Sequence, residues 1–148
     1  MIVPYEPHPV QKDTVLFKEG MKHDYIYLVK SGDVVILKEN AGRVTPVKYC
    51  GEKDFIGLND QFVPMCKSSA VTLGFTEVIP LPKSDVREIL ENSPKWINLL
   101  LHTLTDRLED SVNFVSEHFI TEEFEDYDGE FTEEVEIRLR KVLKDYQG

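Results

Sequence analysis

Short apolar segments separated by turn residues run through residues 13–82, and this pattern sets the fold class of the chain. The segments are rich in β-branched and aromatic residues, and glycine-bearing turns follow several of them. Strands at such regular spacing are typical of an all-β sandwich or barrel. We predict strands over residues 14–17, 25–29, 34–37, 44–49, 70–73 and 77–81. The turn Ser31-Gly32-Asp33 is the clearest candidate for a hairpin between two of them.

The apolar periodicity changes to a helical one after Pro82. Ser84 is a candidate N-cap for a short helix that ends at residues 92–94. A long second helix is predicted from about residue 95 to about 120, with Trp96 as a core anchor against the barrel. Its apolar residues recur at steps of three and four, which defines one stripe. The stripe consists of Ile97, Leu101, Leu104, Leu108 and Val115, together with Val112. It suits a two-helix seam as well as packing on the chain's own barrel.

A third helix is predicted from Thr132 to Tyr146, with Thr132 as its N-cap. Acidic residues lie near its start and basic residues near its end, as the helix dipole favours. Its apolar face consists of Val135, Leu139, Val142 and Tyr146. That face requires burial against this barrel or against a partner protein. An acidic block over residues 122–136 has no basic residue, and it fits either a solvated linker or an interaction segment.

Composition excludes several classes of function. The 148 residues suffice for one domain plus an appendage, and no apolar run is long enough to cross a bilayer. The N-terminus lacks the features of a secretory signal, so we expect a cytoplasmic protein without a membrane partner. A net charge of -10 opposes nucleic-acid binding, which depends on basic residues. Cys50 and Cys66 are more consistent with buried thiols than with a disulfide.

Three stretches resemble the cyclic-nucleotide-binding domain family, which includes Crp- and Fnr-like effector domains. Residues 16–20, LFKEG, are similar to a strand that ends in a glycine turn. Residues 25–34, YIYLVKSGDV, are similar to the family's tyrosine- and glycine-bearing hairpin, and they give the most specific match. Residues 51–72 resemble its phosphate-binding cassette. The resemblance covers roughly residues 12–108 and implies a mainly β fold, an eight-stranded jelly-roll β-barrel followed by a long helix.

The cassette departs from the family pattern at two positions. With residues 56–58 and 68–71 aligned, the family's ribose-binding Glu falls on Leu58 and its phosphate-binding Arg on Ser68. Leu58 cannot accept a hydrogen bond from a ribose hydroxyl, and Ser68 carries no charge. Lys67, the residue before Ser68, carries a positive charge, although adjacent residues of a strand point to opposite faces. The resemblance thus implies a degenerate ligand site formed by Ile56, Gly57, Leu58, Asn59, Lys67, Ser68, Ser69 and Ala70.

We therefore expect a non-enzymatic regulatory module with impaired cAMP and cGMP binding that acts through protein contacts. No nucleophile motif, paired-acid motif or metal-ligand spacing is present, so no catalytic residue, metal or cofactor is assigned. Residues 1–120 would form the domain with its long helix, and residues 121–148 the acidic linker with a short amphipathic helix. The latter are too short and acidic for the helix-turn-helix domain of related regulators. We expect a homodimer through the long helix and an unidentified protein partner.

Two alternatives stay open. One is a genuine sensor of a cyclic nucleotide or another nucleotide, in which Lys67 and the Gly57 turn hold the phosphate. The other is a cupin-like enzyme, which shares the jelly-roll but requires several histidines on the barrel strands. His23 is the one histidine in the strand region, and we expect the four histidines to be surface or capping residues.

Overall fold

The computed structural model describes residues 2–58, 65–104 and 131–147. Its strands are β1 (His8–Val10), β2 (Val15–Phe17), β3 (Tyr25–Ser31), β4 (Val34–Asn40), β5 (Arg43–Cys50), β6 (Phe55–Ile56), β7 (Ser69–Thr72) and β8 (Thr76–Pro82). They form a first antiparallel sheet in the order β1-β8-β3-β6 and a second in the order β2-β7-β4-β5. The mainly β jelly-roll prediction is confirmed, as two facing sheets.

The predicted hairpin at Ser31-Gly32-Asp33 is wrong. Strand β3 belongs to the first sheet and β4 to the second, so this turn crosses between the sheets. Gly32 has φ +99°, and a Cβ atom there would lie 2.5 Å from Thr76 Oγ1 and 2.7 Å from the Phe75 carbonyl oxygen. The turn between β4 and β5 is the hairpin, with positive φ at both Ala41 and Gly42. A glycine of positive φ serves either connection, which is why the sequence pattern misassigned it.

The two faces of the second sheet pack against different layers. Val34 and Ile36 of β4 point into the core between the sheets, where they join residues such as Val29 and Val78. Val35 and Leu37 belong to a separate apolar cluster on the other face. Because both faces are covered, the β4 segment Val-Val-Ile-Leu is continuously apolar rather than alternating.

Three helical segments follow or cover the sheets: α1 (Lys83–Glu91), α2 over the described residues 95–104, and α3 (Glu133–Asp145). The predicted Ser84 cap is wrong, since the N-cap of α1 is Pro82 and no side chain caps it. Strand β8 runs directly into the helix, and the Lys83 N–H donates to the Asp24 carbonyl oxygen at 2.8 Å. The helix ends at Glu91, and Asn92 is its C-cap, in agreement with the end that the sequence predicts.

Helix α3 covers the outer face of the second sheet. Leu139 and Leu143 are buried against sheet residues that include Val35, Val44 and Val71. Val135 and Val142 pack at the margin of this cluster. Of the two alternatives for this apolar face, the chain's own sheet covers Val135, Leu139 and Val142, so the prediction that these residues engage a partner protein is corrected. Tyr146, the fourth residue of the predicted face, does not belong to this cluster. The predicted N-cap is confirmed, because the Thr132 hydroxyl accepts from the Val135 N–H.

Ion pairs tie α3 to the sheet below it. Glu136 is buried, and its carboxylate lies 3.2 Å from Arg43 Nε and 3.3 Å from Arg140 Nε. Arg138 Nε lies 3.4 Å from Asp13 Oδ1. A buried carboxylate is stable only beside cations that neutralise it. These ion pairs therefore neutralise Glu136 and also hold α3 in its position on the sheet.

Helix α2 exposes much of its apolar surface. Trp96, Leu99, Leu100 and Leu104 are all about half exposed or more, whereas Ile97 and Leu101 are half-buried. The prediction that Trp96 anchors the core is wrong, since 65% of the residue is exposed. The exposed stripe is thus centred on Trp96, Leu100 and Leu104, slightly to one side of the predicted seam.

The other predicted seam residues, Leu108 and Val115, lie outside the described residues, as does the acidic segment 121–130. None of the helices in the described ranges has the length and hydropathy that a membrane span requires. Both cysteines are buried and free, as predicted. Burial raises the pKa of the Cys50 thiol to about 11, which keeps that thiol protonated at neutral pH.

Candidate ligand site

The first side of the cassette begins at the end of β6. Ile56 is buried in the core between the sheets and pairs with Tyr27 of β3. Gly57 follows with φ +86°, and a Cβ atom there would lie 3.5 Å from the Phe17 ring and 3.8 Å from the Tyr25 carbonyl oxygen. Leu58 is half-buried, and Asn59 lies outside the described residues. The glycine turn therefore sits directly against β2 and β3.

The second side of the cassette starts at residues 65 and 66, which contact the turn at residues 20–22. Met65 forms a bridge with Lys22, and the Cys66 N–H donates to the Met21 carbonyl oxygen at 2.9 Å. Gly20 N–H donates to the Cys66 carbonyl oxygen at 2.8 Å. These contacts place residues 65 and 66 at the same end of the sandwich as the turn before β3.

Residues 67–70 lie in different environments. Ser68 is buried, and Ala70 belongs to the core between the sheets. The Ser69 hydroxyl accepts from the Glu19 N–H at 2.8 Å and lines a groove beneath α3. Lys67 is half-buried, and its carbonyl oxygen accepts a hydrogen bond from Lys38 Nζ at 2.6 Å. The structure therefore does not bring Ser69 to the core face on which Ala70 lies.

An aromatic cluster lies between the two sides of the cassette and the start of α1. It consists of Phe17, His23, Tyr25 and Tyr27. The His23 ring centroid lies 5.6 Å from that of Phe17, 5.9 Å from Tyr25 and 5.4 Å from Tyr27. Such distances are those of favourable aromatic contacts.

Two polar groups of this cluster, the His23 imidazole and the Tyr27 hydroxyl, are held in their neutral forms. His23 Nε2 and the Tyr27 hydroxyl lie 3.0 Å apart in a hydrogen bond whose direction depends on the histidine tautomer. Burial, with the nearby charge of Lys83, lowers the pKa of His23 to about 4. Burial also raises the pKa of Tyr27 well above its ordinary value. The expectation that His23 is a surface or capping residue is therefore wrong.

Lys83 is a functional candidate that the sequence reasoning missed. The residue is 4% exposed, and within the described part of the chain its Nζ atom has no hydrogen-bond partner. No local sequence signal marks it, since a lysine between a strand and a helix is ordinarily solvated. Its burial follows from the direct passage of β8 into α1.

A cavity of about 180 Å³ adjoins the aromatic cluster. Residues lining it include His8, Thr14, His23, Tyr27 and Tyr146. Tyr146 is the C-cap of α3, and burial and then the neighbouring Cys66 raise the pKa of its hydroxyl. The cavity is smaller than the roughly 300 Å³ at the lower end of typical small-molecule sites.

A larger groove of about 680 Å³ lies on the opposite face of the second sheet, beside α3. Its floor includes Leu37 and Val44, and its rim carries Lys18, Arg140 and Lys144. This groove does not open to the core between the sheets, so we do not assign it to the cassette. The described residues also hold no group of three His, Cys, Asp or Glu side chains that could bind a metal ion.

Comparison with known proteins assigns the chain to a family. Residues 7–93 match the family model described as the cyclic nucleotide-binding domain. These residues make up more than half of the chain, and the chain therefore belongs to the cyclic nucleotide-binding domain family.

Individual relatives are distant. The anaerobic regulatory protein of Bacillus subtilis (strain 168) is 28% identical over 111 residues, which cover 68% of this chain and 47% of that protein. The cAMP-bound form of the EAL enzyme Bd1971 has a TM-score of 0.64 at 22% identity, covering 75% of this chain and 30% of that one. The catabolite activator protein of Thermus thermophilus has a TM-score of 0.61 at 19% identity, covering 78% and 55%.

These structural likenesses show the fold alone. The present chain spans about half the length of the curated relative, and about a third and a half of the two solved chains.

Proposed function

We propose that this chain is a non-enzymatic regulatory module in which cAMP and cGMP binding is impaired and the output is protein contact. The observation that carries the proposal is Ser68, which is buried where the family pattern places its phosphate-binding arginine. The bacterial relatives whose names denote regulation are consistent with a regulatory role.

A cyclic nucleotide would bring a negative charge that has to be neutralised inside the sandwich. A cyclic phosphate is a monoanion, and a guanidinium binds two of its oxygens at once. The Ser68 hydroxyl donates one hydrogen bond and supplies no charge. At Leu58, a ribose hydroxyl would be buried without a partner, at a cost of about 1–3 kcal/mol. Together these losses would move a micromolar affinity to about the millimolar range or weaker.

The competing function is a sensor with a non-standard pocket. It is favoured by the Gly57 turn, whose positive φ leaves backbone close to the aromatic cluster, and by the charge of Lys67. In this alternative the Gly57 turn and Lys67 would hold the phosphate of a cyclic nucleotide or another nucleotide.

Calorimetric titration with a panel of cyclic nucleotides separates the two functions. The impaired module is expected to give no saturable heat with cAMP or cGMP at ligand concentrations below about 1 mM. Low-micromolar binding by the wild type that disappears in Lys67→Ala would instead establish the sensor. Lys38→Ala is a matched control, because it also removes one lysine charge close to residue 67.

Protein contact is proposed to occur through α2. Trp96, Leu100 and Leu104 are exposed and recur every four residues, so they share one face of α2 that a second helix could cover. We propose a homodimer through this stripe, with residues 121–130 available to a further, unidentified protein partner. The alternative is a monomer in which the rest of the long helix folds back on the barrel.

The remaining features of the proposal follow from charge and sequence. A net charge of -10 argues against nucleic-acid binding, and a gel shift with duplex DNA at physiological salt tests that expectation. We keep the boundary near residue 120, between the long helix and the acidic segment, and a cytoplasmic location as proposals.

A further inference from the structure

The groove beside α3 opens on the outer face of the second sheet, away from the core between the sheets. Its walls come from separate elements, namely α3, the strands β4, β5 and β7, and the residue directly after β2. Its volume of about 680 Å³ lies within the range of about 300–1,000 Å³ that is typical of small-molecule sites. The groove is therefore large enough for a ligand of its own.

The floor and one wall of the groove are aliphatic. Leu37 and Val44 of the sheet and Leu143 of α3 line it, and all three belong to the apolar cluster beneath the helix. Ile137 also lines it, although 50% of that residue is exposed. The described lining holds no aromatic ring, so a nucleotide base would find nothing to stack on. An alkyl chain suits this lining better.

Basic side chains outnumber acidic ones in the described lining, although the whole chain carries a net charge of -10. Three of them, Lys18, Lys141 and Lys144, are here called the groove lysines. Within the described part of the chain, these lysines have neither an ion pair nor a side-chain hydrogen bond. The acidic residues of the lining, Glu39 and Asp145, are exposed. The charge of the groove therefore complements an anion.

The dipole of α3 explains only part of this positive charge. Cations are favoured near the C-terminus of a helix. Arg140, the fourth basic residue of the lining, is already engaged, since its Nε atom lies 3.3 Å from Glu136 and its guanidinium donates to the Gly42 carbonyl oxygen at 3.2 Å. Lys18 comes from a different element, so the dipole does not account for it.

One face of α3 combines apolar and basic side chains toward this groove. Ile137, Lys141 and Lys144 recur at steps of four and three, so they lie on the same face of the helix. All three line the groove. The methylene stems of lysine add apolar surface while their ammonium groups stay in water. The groove is thus amphipathic, with an aliphatic floor and a cationic rim.

From these observations we infer that the groove binds a single-chain amphipathic carboxylate of the fatty-acid class. The alkyl chain lies on the aliphatic floor, and each methylene removed from water adds to the affinity. The carboxylate lies among the groove lysines, whose ammonium groups donate charge-assisted hydrogen bonds. Glu39 and Asp145 on the same rim disfavour a head group with more than one negative charge.

The ligand would contact α3 and the sheet together, so its binding would stabilise the docked position of the helix. This inference goes beyond the proposed function and does not depend on it, because the groove does not open to the core between the sheets.

The test is an NMR titration of the full-length chain with dodecanoate below its micelle concentration, followed on the Ile137 methyl signals. We expect a saturable shift. Decanoate and octanoate should bind more weakly, by up to about fourfold for each methylene removed. Dodecyltrimethylammonium has the same chain and the opposite charge, and it should give no saturable shift. Equal binding of the two dodecyl amphiphiles would overturn the inference.

Substitution of two groove lysines tests the cationic rim. A Lys18→Met, Lys144→Met double variant removes one charge from each side of the groove and keeps an apolar stem. It should bind dodecanoate about fivefold more weakly or worse. A Lys30→Met, Lys48→Met double variant loses the same charge at exposed positions outside the lining, and it should bind as the wild type does. Equal weakening in both variants would mean that net charge, and not the groove, attracts the ligand.

The exposed stripe of α2 is a competing place for an alkyl chain. A saturable shift confined to the methyl signals of Leu100 and Leu104 would place dodecanoate on that stripe and overturn the groove site. Amide hydrogen exchange gives an independent readout, since a ligand that binds the docked helix slows exchange in α3. Unchanged exchange in α3 at saturating dodecanoate would contradict the inference.

Two other occupants are distinguished by the same Ile137 signals. A synthetic peptide with the sequence of residues 121–130 is acidic and contains two aromatic residues. If it gives a saturable shift and dodecanoate does not, the groove is a peptide-docking surface and the inference is overturned. A shift with protein concentration alone would assign the groove to a second copy, with the same consequence. None of these outcomes alters the cAMP titration, so failure of this site and failure of the proposed function are separate results.

Discussion

At the scale of single residues, His23 makes the stability of the folded state depend on pH. The folded state keeps the imidazole neutral down to a pKa of about 4, whereas the unfolded chain protonates it near 6.5. Between these values the unfolded state binds more protons, so the stability that His23 contributes is present above pH 6.5 and is lost as the pH falls toward 4. Acidic conditions therefore weaken the aromatic cluster.

The prediction from His23 is a difference in acid sensitivity. Relative to the wild type, His23→Gln should lose less unfolding free energy between pH 7 and pH 4.5, because glutamine does not titrate. Urea denaturation at the two pH values measures this difference. Equal losses for the wild type and His23→Gln would show that His23 is not held neutral.

The residues of the candidate site were predicted from the sequence to different degrees. Ile56, Gly57 and Ser68 follow from the cassette resemblance, because that pattern is continuous in sequence. His23 and Lys83 could not be found in this way. Their environment arises from contacts among β2, β3 and the β8–α1 junction, which local periodicity does not encode.

At the scale of elements, the turn after β3 is a rigid corner between the sheets. Gly32→Ala should lower the free energy of unfolding by about 2–4 kcal/mol, because positive φ and contacts of 2.5–2.7 Å with residues 75 and 76 both oppose a Cβ atom. Gly20→Ala is the matched control: it shares a positive φ but meets no atom within 4 Å, so it should cost about 1–2 kcal/mol. Chemical denaturation of both variants measures the difference, and equal losses would contradict the close approach at Gly32.

The docking of α3 can be tested on two of its residues. Leu139→Ala removes a fully buried side chain and should cost about 2–5 kcal/mol. Ile137→Ala changes a residue that is half exposed and should cost less than about 1 kcal/mol. Urea unfolding of the two variants provides the comparison. A neutral Leu139→Ala would mean that the helix does not pack on the second sheet in solution.

The sequence predicted most elements because strand and helix periods differ clearly on the two sides of Pro82. It missed β1 and β6, which have three and two residues and are too short for a periodic signal. The Thr132 cap was predicted correctly, since a hydroxyl residue just before an acidic first turn is a local sequence signal for a helix N-terminus. It could not decide where the α3 face packs, because an apolar stripe does not specify its partner.

At the scale of the whole molecule, α2 determines the proposed assembly. Leu104→Glu should weaken a dimer held by the exposed stripe, since it would place a charge within the proposed apolar interface. His102→Glu adds the same charge at an exposed position outside that stripe and should leave the mass unchanged. Light scattering at tens of micromolar gives the mass of each. A wild-type mass equal to one 17.1 kDa chain would contradict the homodimer.

The central claim is that the fold is retained while the two polar anchors of the cassette are absent. Calorimetric titration of cAMP into the wild type and into a Leu58→Glu, Ser68→Arg double variant tests it most directly, with the NMR spectrum of each protein confirming its fold. The account predicts a dissociation constant of about 1 mM or weaker for the wild type and binding at least about tenfold tighter for the double variant. Low-micromolar binding by the wild type, unchanged or lost in the double variant, would contradict it.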